Sequence, residues 1–393
     1  MSGSQPRVLF IGHEASRTGA PFVLLHFLSW LRQNSKIEFE ILLRQGGELM
    51  GEFEKLAPTR VQHRGLIANE PVRFLPRLRR KYGLNPPIAR QLQRLYPRDR
   101  FPLIYSNTVA NGEFVSLFSQ LGHRTLCHAH EMRFNIEKVG GKPAIEAARV
   151  TNGFIAVSAA VSRDLQESLH VPADKITIIH PFGQPSDLTR ETQAVARKQI
   201  RRELDLNDTD IVVGMCGGAL WLKGCDVFLL LAKTVAQLRP ARRHIFLWIG
   251  VEPTSEEYRR MAHDRSHLGL ETTVRLIPRV SNPHQYLSAL DVFTLTSRED
   301  SFSLVSLEAA TLGVPVVCFA GSGGAPELIG LEGGRVVPYL DIDAMAKAIL
   351  ALSDDDNQRG RIGEILRARA QAFTLETQGP KLLAALERSL REL

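Results

Sequence analysis

Short apolar runs rich in β-branched residues recur along the whole chain, separated by stretches of helical periodicity. RVLFIG, FEILLR, LIYSNT, RTLCHAH, GFIAVS and KITIIH occupy the first half, and IVVGMCG, HIFLWIG, VRLIP, VFTLTS and VPVVCF the second. Near-continuous apolar strands alternating with helices are what parallel sheets covered on both faces require. The pattern predicts an α/β protein with two doubly wound, Rossmann-like parallel sheets. At 393 residues the chain is too long for one ordinary core, so two domains of comparable size, facing across a cleft, are expected. Their boundary should fall in HPFGQPSDLTRETQA, His180 to Ala194, a Pro-, Gly- and Ser-containing stretch ahead of a charged helix. That sets domains at 1–185 and 186–378, with the amphipathic stretch 379–393, GPKLLAALERSLREL, packing back on the first.

Composition narrows the function classes. No apolar run approaches the roughly 20 residues that a membrane helix needs. The start, MSGSQPRVLFIGHE, carries one basic residue and then only a strand-length apolar run, unlike a secretory signal. A cytoplasmic protein is expected. Cys127, Cys216, Cys225 and Cys318 form no CxxC pair, which favours free thiols over a disulfide or zinc framework. A formal charge of +7 points to an anionic substrate or surface.

The positive charge concentrates between Pro71 and Phe101, where Arg73, Arg77, Arg79, Arg80, Lys81, Arg90, Arg94, Arg98 and Arg100 face only Asp99. Leucines and aromatics lie between them. Such a stretch suits peripheral contact with anionic lipid head groups or a phosphorylated acceptor, and equally a solvated helical face. Nucleic acid is not expected, since no nucleic-acid module accompanies the charge.

In doubly wound sheets, ligands bind beyond the carboxyl ends of the strands. The stretch TSREDSFSLVSLEAATLGVPVVCF, Thr296 to Phe319, lies there. A strand is followed by a serine-rich turn, then by a helix starting near Ser303 and stopped by Gly313 and Pro315. The backbone amides of Phe302, Ser303 and Leu304 would then be donors at a helix amino end, suited to an anionic group. Asp300 at the mouth of the turn can accept hydrogen bonds from hydroxyls, and Glu308 lies further along the helix. Asp300 or Ser301 capping the helix, with Glu308 exposed, is the plain structural alternative.

EDSFSLVSLEAATLGVPVV closely resembles the acid-x7-acid signature of retaining glycosyltransferases of the GT-B fold, glycosyltransferase family 4 or glycosyl transferases group 1. That group includes sucrose synthases and bacterial polysaccharide mannosyltransferases. Asp300 stands where the family carries its first Glu, with Glu299 as the neighbouring acid. VVGMCGGALWLKGCDVFL resembles the family's donor-diphosphate loop, with Gly217, Gly218 and Lys223 in place and Gly218 where many relatives carry an Arg. IGHEASRTGAPFVLLHFL resembles the first strand, glycine loop and helix, which puts Thr18, Gly19 and Ala20 near phosphates and acceptor. LCHAHEMRF resembles the strand-end His beside the donor sugar, a role for His130 or, failing that, His128.

The resemblance implies sugar transfer from a UDP- or GDP-sugar to an acceptor with retention at the anomeric carbon, and the basic segment makes a lipid-linked or cell-envelope glycan the first acceptor to expect. Lys223 and the amides would neutralise the diphosphate, Asp300 would hold sugar hydroxyls and Glu308 the ribose. Arg279 joins the donor-binding residues on the same ground. No cofactor and no metal is implied. His128 and His130 share one face of a strand, so a metal site with Glu131 is conceivable, but a buried, hydrogen-bonded His is the commoner fate of either residue. Ser158 lies at another strand end, where a helix cap is the plainer role. Two other functions stay open: a nucleotide-sugar epimerase of the same architecture, and a catalytically silent nucleotide-sugar-binding subunit of a glycan assembly. The missing Arg and the altered first acid make the second plausible, and against it Lys223, Asp300 and Glu308 all keep polar groups suited to catalysis.

Overall fold

Glu40 in one strand run and Asp291 just ahead of another are buried acids that mark the amino ends of two sheets. The computed structural model describes residues 7–63, 66–68, 87–183 and 188–393. Arg73, Arg77, Arg79, Arg80 and Lys81 of the basic segment therefore lie outside the described residues. The chain divides into one unit comprising Met1–Pro181 and Leu375–Leu393, and a second comprising Phe182–Thr374.

The first unit holds an eight-stranded sheet of β1 (Arg7–Gly12), β2 (Glu38–Leu43), β3 (Thr59–His63), β4 (Leu66–Ala68), β5 (Leu103–Ser106), β6 (Arg124–Ala129), β7 (Gly153–Ala156) and β8 (Ile176–Ile178). Their spatial order is β4-β3-β2-β1-β5-β6-β7-β8. All neighbours pair in parallel except β3 and β4, which are antiparallel. The second unit holds β9 (Ile211–Cys216), β10 (His244–Ile249), β11 (Val274–Ile277), β12 (Val292–Leu295), β13 (Val316–Phe319) and β14 (Gly334–Val337). These run β11-β10-β9-β12-β13-β14, all parallel.

The central strands β1, β9 and β10 are almost wholly apolar because helices cover both faces. Val8 to Ile11 and Ile245 to Ile249 are almost entirely buried. Phe10 meets Phe39 and Phe27 edge-on, and Phe228 meets Phe246 and Trp248 in the same way. Cys127 and Cys318 are buried and all four cysteines are free thiols.

At the amino end of each sheet, arginines tie the strands through one buried acid. Glu40 accepts from Arg7 (3.1 Å), Arg60 (2.6 Å) and Arg100 (3.1 Å). Asp291 accepts from Arg197 (2.6 Å), Arg201 (3.3 Å) and the Val212 amide (2.8 Å). Such pairing offsets the cost of burying a carboxylate.

The last helix starts earlier than the sequence pattern places it. It spans Leu375–Arg391 and runs through Gly379 and Pro380. A β-carbon on Gly379 would lie 2.9 Å from the Trp30 ring, so glycine lets this helix press against helix Gly19–Asn34. Gly379 thus serves a helix crossing and does not open the helix. Among the described residues no helix is long and apolar enough to cross a membrane.

Candidate functional site

The second unit's strand order reverses between β9 and β12, which opens a crevice at their carboxyl ends. The chain leaves β9 through Gly217, whose φ of 144° favours glycine. Gly217's carbonyl accepts from Trp248 Nε1 at 3.0 Å. At Gly218 a β-carbon would meet nothing closer than 3.9 Å, so the backbone there does not demand glycine. The two glycines, alike in the sequence pattern, have different grounds.

A short 3-10 turn, Trp221–Lys223, then presents the lysine. It closes on Gly224, at φ 68°, where a β-carbon would sit 2.0 Å from the Thr296 carbonyl oxygen. Thr296 Oγ1 donates to the Lys223 carbonyl at 3.1 Å. Arg298 completes the staple. Its guanidinium donates to both Asp226 carboxylate oxygens (2.9 and 2.7 Å) and to the Trp221 carbonyl (2.9 Å), and it lies 4.7 Å from the centre of the Trp221 ring. Arg298's amide also donates to the Leu222 carbonyl at 2.7 Å.

Lys223 Nζ donates to Asp300 Oδ2 at 2.7 Å. Asp300 therefore does not cap the following helix. Ser303 does, its Oγ accepting from the Ser306 amide at 3.1 Å ahead of helix Leu304–Thr311. Asp300's own backbone is held by the glycine-rich turn after β13: its amide donates to the Ser322 carbonyl at 2.7 Å and its carbonyl accepts from Gly324 at 3.2 Å. Phe302 turns its ring inward against Phe373, 5.3 Å between centres.

Glu308, one turn into the helix, is half-buried where the alternative had it exposed. Burial pushes its carboxyl up to about 7. Its charge also helps to raise the Cys216 thiol, after burial, which places Glu308 beside the end of β9. Lys223, Asp300 and Glu308 thus gather at one switch point, with the Ser303 and Leu304 amides at the helix start. Arg279 is exposed just beyond β11, two strands from β9, and among the described residues it has no partner.

The first unit's order reverses between β1 and β5. Ser16 Oγ donates to Glu14 at 2.6 Å and pairs with Thr18 at 2.8 Å, and the exposed Gly19 begins the helix. Asn107, just after β5, donates from Nδ2 to the Ala20 carbonyl (2.9 Å) and turns Oδ1 to His130 Nε2 (3.3 Å). That orientation makes Nε2 the protonated nitrogen of His130. Burial pushes His130 down to about 3, which keeps its imidazole neutral.

His128 is 2% exposed and pairs through Nδ1 with Tyr105 Oη at 2.6 Å, a core residue behind His130 with ring centres 4.2 Å apart. Glu131 accepts from Thr108 Oγ1 and from the amides of Val109 (3.3 Å) and His130 (3.0 Å), which makes it an anchor for the strand end. Ser158 caps helix Ala159–Leu169. Sequence reasoning missed Asn107, Glu131 as an anchor, and Arg298. The strand-end position of Asn107 at a reversal of order was the available signal.

Residues 196–369 match the family model described as Glycosyl transferases group 1, and residues 19–182 that of Glycosyltransferase Family 4. Together with the two doubly wound sheets, these matches define a glycosyltransferase of the GT-B fold. The chain belongs to the family 4, group 1 glycosyltransferases.

It is 29% identical over 298 residues to D-inositol 3-phosphate glycosyltransferase of Corynebacterium glutamicum strain R, covering 70% of this chain and 69% of the relative. It is 28% identical over 213 residues to the GDP-mannose-dependent monoacylated alpha-(1-6)-phosphatidylinositol monomannoside mannosyltransferase of Corynebacterium glutamicum, covering 51% of this chain and 54% of the relative. Among solved structures, Anabaena HepE in complex with UDP and glucose matches with a TM-score of 0.77 at 20% identity, over 98% of this chain and 100% of that one. Sucrose-phosphate synthase from Thermosynechococcus elongatus matches with a TM-score of 0.70 at 19% identity, over 99% and 100%.

Proposed function

We propose that this glycosyltransferase is a retaining enzyme that moves a sugar from a UDP- or GDP-sugar to a phosphorylated acceptor, without a metal. The observation that carries the reading is the Lys223–Asp300 pair at the β9–β12 switch point, with Glu308 near enough to the end of β9 to act on the Cys216 thiol. Lys223 and the Ser303 and Leu304 amides supply positive charge to the departing diphosphate, the kind of fixed electrostatics that lowers such a barrier most. Asp300 accepts from hydroxyls of the transferred sugar and Glu308 from the ribose. Arg279, the exposed cation beyond β11, adds charge on the nucleotide side. The neutral His130 is the first unit's candidate for a sugar hydroxyl. With Asp300 and Glu308 both engaged by donor hydroxyls, neither is assigned as a covalent nucleophile, so the acceptor attacks on the face the diphosphate leaves, and the leaving phosphate takes the acceptor's proton.

The acceptor class is supported by relatives whose names carry an inositol phosphate or a phosphatidylinositol glycoside. A lipid-linked acceptor would also give the basic stretch 71–101 a role at the inner membrane face. The test is transfer from UDP-glucose and GDP-mannose to inositol phosphate and phosphatidylinositol acceptors, with NMR of the anomeric product. Retained configuration is expected, unchanged by EDTA. Lys223→Ala and Glu308→Ala should each lose about a hundredfold or more in kcat/KM with the fold intact. Full activity in both variants removes the site assignment, and an inverted product removes the mechanism.

A further inference from the structure

We infer that Asp300 selects the intact nucleotide sugar over the free nucleoside diphosphate, by competing with the phosphates for Lys223. The inference rests on the donor site proposed above. The Asp300 side chain is 9% exposed and that of Lys223 32%, and they meet at 2.7 Å. Among the described residues Lys223 is the only side-chain partner of Asp300.

The backbone that carries each group is held in place. Asp300's backbone is fixed on both sides by Ser322 and Gly324, and the Lys223 turn is stapled by Thr296 and Arg298. A diphosphate that takes the ammonium therefore leaves a buried carboxylate unpaired beside new negative charge. Removing one partner from a buried pair is costly for this reason. Hydroxyls of an attached sugar offset that cost by donating to Asp300. Once the sugar has been transferred the cost returns, Asp300 recovers Lys223, and the diphosphate is expelled. One ion pair thereby favours the loaded donor on entry and releases the spent nucleotide.

Isothermal titration of the full chain with UDP, UDP-glucose, GDP and GDP-mannose tests this, with thermal melting run alongside. For the base that binds, the native protein should hold the nucleotide sugar more tightly than the diphosphate. Asp300→Asn should bind the free diphosphate about tenfold or more tighter than native, while Asp300→Glu should keep the native order. A natively folded Asp300→Asn that binds the diphosphate no tighter than native overturns the inference and leaves the donor site standing. Should that variant fail to fold, the native ratio decides, and equal affinity for diphosphate and nucleotide sugar overturns it. A native protein that binds none of the four removes the donor assignment and the inference with it.

Discussion

Glu308 sits where its charge is resisted by burial. With its carboxyl raised to about 7 from an ordinary 4.5, the native state holds more protons than the unfolded chain across that window. The stability that the protonated form retains is complete below pH 4.5 and is lost as pH rises through about 7. Glu308→Gln should therefore flatten the dependence and be more stable than the parent at pH 8 by on the order of 1–2 kcal/mol, with little difference at pH 4.5. Urea denaturation at the two pH values checks this, and a variant less stable at both would refute it. Lys223, Asp300 and Glu308 were legible in the sequence because the spacing of a strand, turn and helix start is local. The Lys223–Asp300 bond was not, because it joins residues 77 apart whose meeting depends on β12 lying next to β9. His128 and His130 differ for a similar reason: their two-residue spacing puts both on one strand face, but only the last residues of a strand reach the crevice.

The turn Trp221–Lys223 is an element whose shape comes from outside itself. Gly224 combines a left-handed φ of 68° with a carbonyl oxygen 2.0 Å from where a β-carbon would be. Gly224→Ala should cost about 2–4 kcal/mol and displace the lysine. Gly218→Ala meets nothing within 3.9 Å and should cost under about 1 kcal/mol. Denaturant midpoints for the pair decide the matter, and equal losses would show that the turn does not depend on close approach at Gly224. A sequence pattern marks both positions only as glycine, because the approach of the Thr296 carbonyl is made by another strand's loop. Arg298 escaped notice likewise: an Arg-Glu-Asp run reads as a polar turn until the Asp226 carboxylate and Trp221 ring are placed against it.

Over the whole molecule, each unit repeats one design, a buried acid gripped by arginines at the amino end of the sheet and a polar crevice at the carboxyl end. The alternation of strands and helices made both sheets legible. The route of the last helix was not, because Gly379-Pro380 has the local signature of a helix start and its true setting is the Trp30 ring of a distant helix. Leu382 and Leu386 on that helix are almost fully buried. Each contributes roughly 1.5–3 kcal/mol by leaving water, and the surface they cover belongs to the first unit, chiefly helix Gly19–Asn34 and β6. Ending the chain at Thr374 should therefore weaken the first unit selectively. Hydrogen exchange on the truncated protein should show faster exchange across Gly19–Asn34 and Arg124–Ala129, with the amides of β9 and β10 as protected as before. Equal loss of protection in both sheets would mean that the two units unfold as one, and that the last helix supports more than the unit on which it packs.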